Sequence, residues 1–212
     1  MKLYLNETSP FSRVVTAVAL MSEKASVELV WVDPWSSPDA LKQVNPFCII
    51  PALELDDGTV LTESMVICQY LLATYRNVFL APMDLTNKQE MALLGSAKTL
   101  MDVAFKTVAL KRFTEGKNEL TTRGIEGLKE ALLRSKTDIR KNPAYKEKTL
   151  ATLYFHIALA YIQLRHEALF EQHAAGEIEA FLEKSPFSDV LETISLETLA
   201  EKPSFEGLRN SI

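Results

Sequence analysis

The hydrophobic pattern of this chain changes character once, between Asn77 and Leu85, and the change demands two different kinds of packing. Up to Asn77, short β-rich runs alternate with helical periodicity, the signature of an α/β unit; from Leu85 onward no run reads as a strand. Residues 2–5 (KLYL) are predicted as a strand. Ser9-Pro10 opens a helix in which Phe11, Val14, Val15 and Val18 recur at i, i+3, i+4 and i+7. Proline suits a first helical turn because its missing N–H is not needed there. Residues 27–32 (VELVWV) predict a second strand, residues 33–39 (DPWSSPD) a turn, and ALKQV a short helix ending at Asn45-Pro46. Residues 52–64 predict two strands around Asp57-Gly58, a dipeptide that tolerates the positive φ of a tight hairpin. Past Glu63-Ser64 the run MVICQYLLATY is helical.

In the second half, Met91, Leu94, Met101, Phe105 and Val108 mark one long amphipathic helix. Ile125, Leu128 and Leu132 mark a second, and Leu150, Leu153, Ile157, Tyr161 and Leu164 a third. The expected division is a first domain over 1–78, a linker over 79–85 containing Pro82 and Asp84, and an all-helical domain over 86–212. The uncharged stretch 149–164 has 16 residues and includes His156 and Gln163, too short for a membrane span of about 20. It reads as a buried core helix.

Charge narrows the partners. Lys plus Arg number 23 against 28 Asp plus Glu, giving a net charge of −5 with no dense basic run, so the surface that drives nucleic-acid binding is missing. Two cysteines, Cys48 and Cys68, are too few for a disulfide framework and too isolated for a zinc site. His166 and His173 lack the i, i+4 spacing of a zinc helix, so no metal site is expected. The N-terminus turns polar at Asn6, too early for a secretory signal, and a cytoplasmic protein that binds neither nucleic acid nor membrane is expected.

A strand followed by Ser-Pro-Phe-Ser at a helix start resembles the Cys-Pro-x-Cys turn of glutaredoxins, with serine at both cysteine positions. Downstream, NPFCIIPAL (45–53) and DDGTVLTESMVICQYL (56–71) resemble the glutathione transferase pattern of Asn-Pro, Pro-Ala-Leu, an Asp-Gly hairpin and Glu/Asp-Ser at a helix start. With the helical second half and a late KPSF, the resemblance covers the whole chain, and it is nearest to the bacterial serine-type enzymes and the plant tau class. It implies α/β plus all-α architecture: an N-terminal thioredoxin-like domain with a C-terminal all-helical glutathione transferase domain, assembled as a homodimer.

For function, the resemblance implies glutathione as co-substrate, conjugated as its thiolate to a small apolar electrophile. Ser9 would be catalytic, donating a hydrogen bond to the sulfur, with Thr8 and Ser12 as nearby alternatives. A thiol of pKa about 8.5 is only about 3% ionised near pH 7; lowering it by two units costs about 2.7 kcal/mol and makes roughly three-quarters thiolate. Pro51 would be cis, and Ile50 would pair its N–H and C=O with the cysteinyl residue by strand addition. Glu63 would accept from the glutamyl ammonium, and Ser64 at a helix N-terminus would meet its carboxylate. Phe11, Phe105 and Phe113 would line the hydrophobic co-substrate pocket.

Read from the residues alone, Ser9 caps its helix, Thr62 or Ser64 caps the next, and the three phenylalanines are core. Arg13 is expected to pair with a carboxylate or a dimer surface, and His156 to be a packed, hydrogen-bonded histidine. Thr149 is expected to cap its helix without the acidic fourth residue of a capping box. Family members carry Gly-Lys or Gly-Arg where this chain reads Cys48-Ile49, so the cation that meets the glycyl carboxylate is replaced. A non-catalytic binding or assembly module of the same fold, and a glutathione-dependent peroxidase, are the alternative functions.

Overall fold

The structure, a computed structural model, describes residues 1–77, 79–116 and 118–212. Val78, where the first domain was expected to end, lies outside the described residues. The chain divides into two compact units, Met1–Leu80 together with Asp189–Ile212, and Ala81–Ser188.

The first unit is built on a four-stranded mixed sheet in the order β2-β1-β3-β4. Its strands are β1 (Lys2–Leu5), β2 (Glu28–Trp31), β3 (Ala52–Glu54) and β4 (Val60–Thr62). β1 runs parallel to β2 and antiparallel to β3, which is antiparallel to β4. Parallel pairing needs a crossover, and α1 (Pro10–Met21) supplies it. A short α2 (Asp39–Val44) follows β2, and α3 (Ser64–Thr74) follows β4 and packs on α1. Leu3, Leu5, Val14, Val18, Ile67 and Leu71 are fully buried, each worth roughly 1.5–3 kcal/mol of burial free energy. The hairpin closes as its sequence requires: Gly58, at φ +83°, donates to the Leu55 carbonyl, and Asp57 accepts from the Thr59 N–H. Only glycine enters that backbone region without cost.

α1 is buried almost throughout, because α9 (Ser188–Thr193), α10 (Leu196–Ala200) and α11 (Phe205–Arg209) close the chain and α11 packs against it. Arg209 donates to the carbonyls of Ala19 and Ser22 at the C-terminal end of α1, where the helix dipole favours a cation.

Among its described residues the second unit forms helices and no strand. It comprises α4 (Lys88–Phe113), α5 (Glu119–Lys141), α6 (Leu150–Arg165), α7 (Glu167–Ala174) and α8 (Glu177–Glu183). α6 is buried on every side from Leu150 to Leu159 and packs along α4. No helix among the described residues is long and apolar enough to cross a membrane. Thr149 caps α6 through the Thr152 N–H, and the Thr152 hydroxyl, in the place of the missing acid, donates to the Ala144 carbonyl. His166, between α6 and α7, is hydrogen-bonded through Nε2 to Thr107 and to the Ala104 carbonyl of α4.

Candidate functional site

Strand register gathers the sequence-predicted residues of the first unit. Tyr4 of β1 faces Ala52 of β3, and Ala52 faces Thr62 of β4. The C-terminal end of β1, the N-terminal end of β3 and the C-terminal end of β4 therefore share one end of the sheet. The segments that carry Ser9, Ile50-Pro51 and Glu63-Ser64 all leave from that end.

Ser9 is the N-cap of α1. Its Oγ accepts from the Ser12 N–H at 3.2 Å, and its own N–H donates to Asn6 Oδ1 at 2.9 Å. The reading from the residues alone, a capping serine, is what the backbone shows. Capping uses an oxygen lone pair, so the hydroxyl keeps its proton to donate. Asn6 was not singled out from the sequence; its signal is an Asn three residues before an N-cap, placed to tie the turn from the other side. Ser12, by contrast, is completely buried, and among the described residues its Oγ has no hydrogen-bond partner.

The Ile50–Pro51 bond is cis, as the resemblance implied. Ahead of it Asn45, fully buried, accepts from the Phe47 N–H and donates from Nδ2 to the Ile49 carbonyl, holding loop 45–49 in shape. Cys48 takes φ +52° in that loop, the physical reason a glycine is easy to accommodate there. Its side chain packs on a small cluster of Tyr4, Leu41 and Ala52 shared with Ile50. Ile49 is 58% exposed.

Neither Thr62 nor Ser64 caps α3. Glu63 does: at φ +72° its carboxylate folds back to accept from the Met65 N–H at 3.0 Å. A non-glycine residue held there costs of order 1–3 kcal/mol, a strain that clusters at ligand sites. Ser64 is the first residue of α3 and is buried.

Among the described residues no carboxylate pairs with Arg13; Nε donates to the Ile194 carbonyl at 3.0 Å, and burial brings the guanidinium pKa down to about 10. The sequence pattern could not show this, because the partner lies 181 positions away. Phe11 is half-buried in the first unit; Phe105, half-buried, and Phe113, exposed under the Arg112 guanidinium, stand on α4 of the second. None of the three lines the cavity of about 940 Å³ between α4 and α5, whose rim carries Glu130, Arg134 and Asp138. Among the described residues no cluster of three His, Cys, Asp or Glu side chains is arranged to hold a metal ion.

A four-stranded thioredoxin-like sheet followed by an all-helical unit defines the class. Residues 8–74 match the N-terminal domain of glutathione S-transferases. Rat (Rattus norvegicus) glutathione S-transferase omega-1 is 27% identical over 139 residues, 64% of this chain and 57% of that protein, so the chain spans little more than half the length of this relative. A glutathione S-transferase from Methylobacillus flagellatus KT, solved with GSH bound, superposes with TM-score 0.72 at 27% identity over 89% of this chain and 98% of its own. Gtt2 of Vibrio parahaemolyticus shares the fold at TM-score 0.75 and 21% identity, covering 94% and 99% of the two chains. The fold is that of glutathione S-transferases, and residues 8–74 carry the sequence match to their N-terminal domain.

Proposed function

We propose that this chain binds glutathione on its first unit and transfers the thiolate to a small apolar electrophile, working as a homodimer in the cytoplasm. The observation that carries the reading is the register that gathers Ser9, Ile50-Pro51 and Glu63-Ser64 at one end of the sheet. Ser9 donates its hydroxyl proton to the sulfur while its lone pair keeps the helix capped. The amide and carbonyl of Ile50, ahead of Pro51, pair with the cysteinyl backbone as an added strand. Glu63 accepts from the glutamyl ammonium, and the start of α3 at Ser64 receives the glutamyl carboxylate. Phe11, two residues beyond Ser9, offers apolar surface to the electrophile.

Isothermal calorimetry with glutathione, on the unaltered chain and on Ser9→Ala, tests this. The expected result is saturable binding that changes by no more than a few-fold in Ser9→Ala, while conjugation of an aryl halide falls by about 10²- to 10³-fold, the usual cost of losing one such donor. No binding at millimolar glutathione overturns it. That outcome favours the second reading, a non-catalytic binding or assembly module, for which the exposed Ile49 in place of a cation is the specific support.

A further inference from the structure

Arg13 is placed where a cation is disfavoured twice. Its side chain is buried, 7% exposed, and among the described residues no carboxylate lies within ion-pair distance; the Ile194 carbonyl takes one of its five N–H donors. It also sits in the first turns of α1, the positive end of the helix dipole, its backbone N–H closing onto the Ser9 carbonyl at 3.0 Å. Arg209, at the opposite end of α1, shows the favourable arrangement: two helix carbonyls and the Phe205 ring receive it. A buried, unpaired cation is costly wherever it stands. A chain that keeps one beside a helix N-terminus has a local use for positive potential.

The acids on the elements packed around Arg13 do not supply its counter-charge. α3 carries no charged residue, and Asp189, Glu192, Glu197 and Glu206 of the C-terminal segment are exposed. Glu28 and Glu54 flank Lys2 in the strand register at the far end of the sheet, and the Glu54 carboxylate accepts from the Tyr4 hydroxyl. Glu7 is half-buried ahead of Ser9, and the Glu63 carboxylate is turned onto the Met65 N–H.

We propose that Arg13 is a positioning residue for charge: a fixed cation one helical turn behind Ser9 that lowers the pKa of a thiol lodged at the Ser9 hydroxyl. This rests on the functional reading above, in which that thiol is glutathione's. Ionisation breaks the S–H bond heterolytically, leaves the electron pair on sulfur and passes the proton to water. Arg13 touches neither atom; it biases the equilibrium through its field. Four residues of helix rise about 6 Å, and a unit charge within about 10 Å, at an effective dielectric near 20, moves a neighbouring pKa by about one unit.

The test is a pH titration of the ultraviolet thiolate absorbance of glutathione bound to the full chain, in the unaltered protein, Arg13→Gln and Arg13→Lys, with melting curves alongside. The expected result is a bound-thiol pKa about one unit higher in Arg13→Gln, with conjugation about tenfold slower at neutral pH and restored at alkaline pH, at nearly unchanged glutathione affinity. Arg13→Lys keeps the pKa of the unaltered protein, which a purely structural role would not secure. An unchanged thiol pKa in Arg13→Gln, with glutathione still bound and conjugated, overturns the proposal and leaves the functional reading standing. Absence of glutathione binding by the unaltered chain overturns both. Should Arg13→Gln not fold, the lysine variant decides: a bound-thiol pKa raised by a unit while the charge is retained overturns the proposal.

Discussion

Acid should weaken the second unit through one histidine. His156 is fully buried in α6, stacked on Phe181 at 4.3 Å between centroids and edge-on to Phe187. Nδ1 meets the Thr152 carbonyl at 2.9 Å, so it carries the proton, and among the described residues no group stands in good hydrogen-bond geometry to Nε2. Adding a second proton would charge the ring inside an apolar shell, and burial brings its pKa down to about 4 from 6.5, opposed by the Thr152 and Phe181 carbonyls. Above pH 6.5 the histidine is neutral in both states and its full contribution is present. Between 6.5 and 4 the unfolded chain binds a proton that the folded chain refuses, so stability falls with pH. At 1.36 kcal/mol per unit, the loss is about 1.4 kcal/mol at pH 5.5 and about 2.5 kcal/mol at pH 4.5. Burial also lowers the pKa of His166, which adds to the trend. Urea unfolding followed by far-ultraviolet ellipticity reads the helices, whereas Trp31 and Trp35 both report on the first unit. His156→Asn keeps an N–H near Thr152 and does not titrate. It should be less stable at pH 7 through lost ring packing, yet lose about 2.5 kcal/mol less than the unaltered protein on going to pH 4.5. Parallel losses in the two proteins would refute the reasoning.

Three further outcomes are expected. Ser12→Ala removes a buried hydroxyl that has no partner among the described residues and should stabilise the protein by about 1 kcal/mol, read as a rise of about 2 to 4 °C in Tm. Ile49→Lys, at an exposed position, should leave Tm within about 1 °C and tighten glutathione binding roughly two- to fivefold at low salt, the gain shrinking as salt is added; unchanged affinity at low salt would show that the glycyl carboxylate does not lie near residue 49. Gly124→Ala would drive a methyl group into the Thr107 side chain of α4 and should cost about 1 to 3 kcal/mol by denaturant titration; a neutral result would mean that α4 and α5 can separate without penalty.

What could be read from the sequence was whatever is settled within a few residues. Ser9-Pro10 announces the start of α1, Asp57-Gly58 the hairpin, and the loss of β-rich runs after Leu85 the helical unit. His156, which interrupts an apolar helix, is packed and hydrogen-bonded as its surroundings suggest. Choices decided by distant neighbours were not legible. Arg13 looks like any basic residue on an amphipathic helix until Ile194 is brought beside it. The cap of α3 escaped for a different reason: serine and threonine are the usual caps, and Glu63 takes that role only because its backbone adopts a left-handed φ that no local propensity favours for glutamate. Cys48 is the same case, a residue in a conformation that its own chemistry would not choose.

The partition of the chain bears on how it is made. Asp189–Ile212 belongs to the same compact unit as Met1–Leu80, and Phe205, Leu208 and the Ile194 carbonyl cover a helix that begins at Pro10. During vectorial synthesis, at about 5–20 residues per second, α1 emerges early and waits for the whole helical unit to follow before its outer face finds cover. Ala81–Ser188, continuous in sequence, can condense while the ribosome is still at work. The first unit cannot complete until translation reaches α9 to α11, so its apolar α1 face is the surface on which a nascent-chain chaperone would act, and a ribosome stalled before residue 189 would leave α1 made early and protected last.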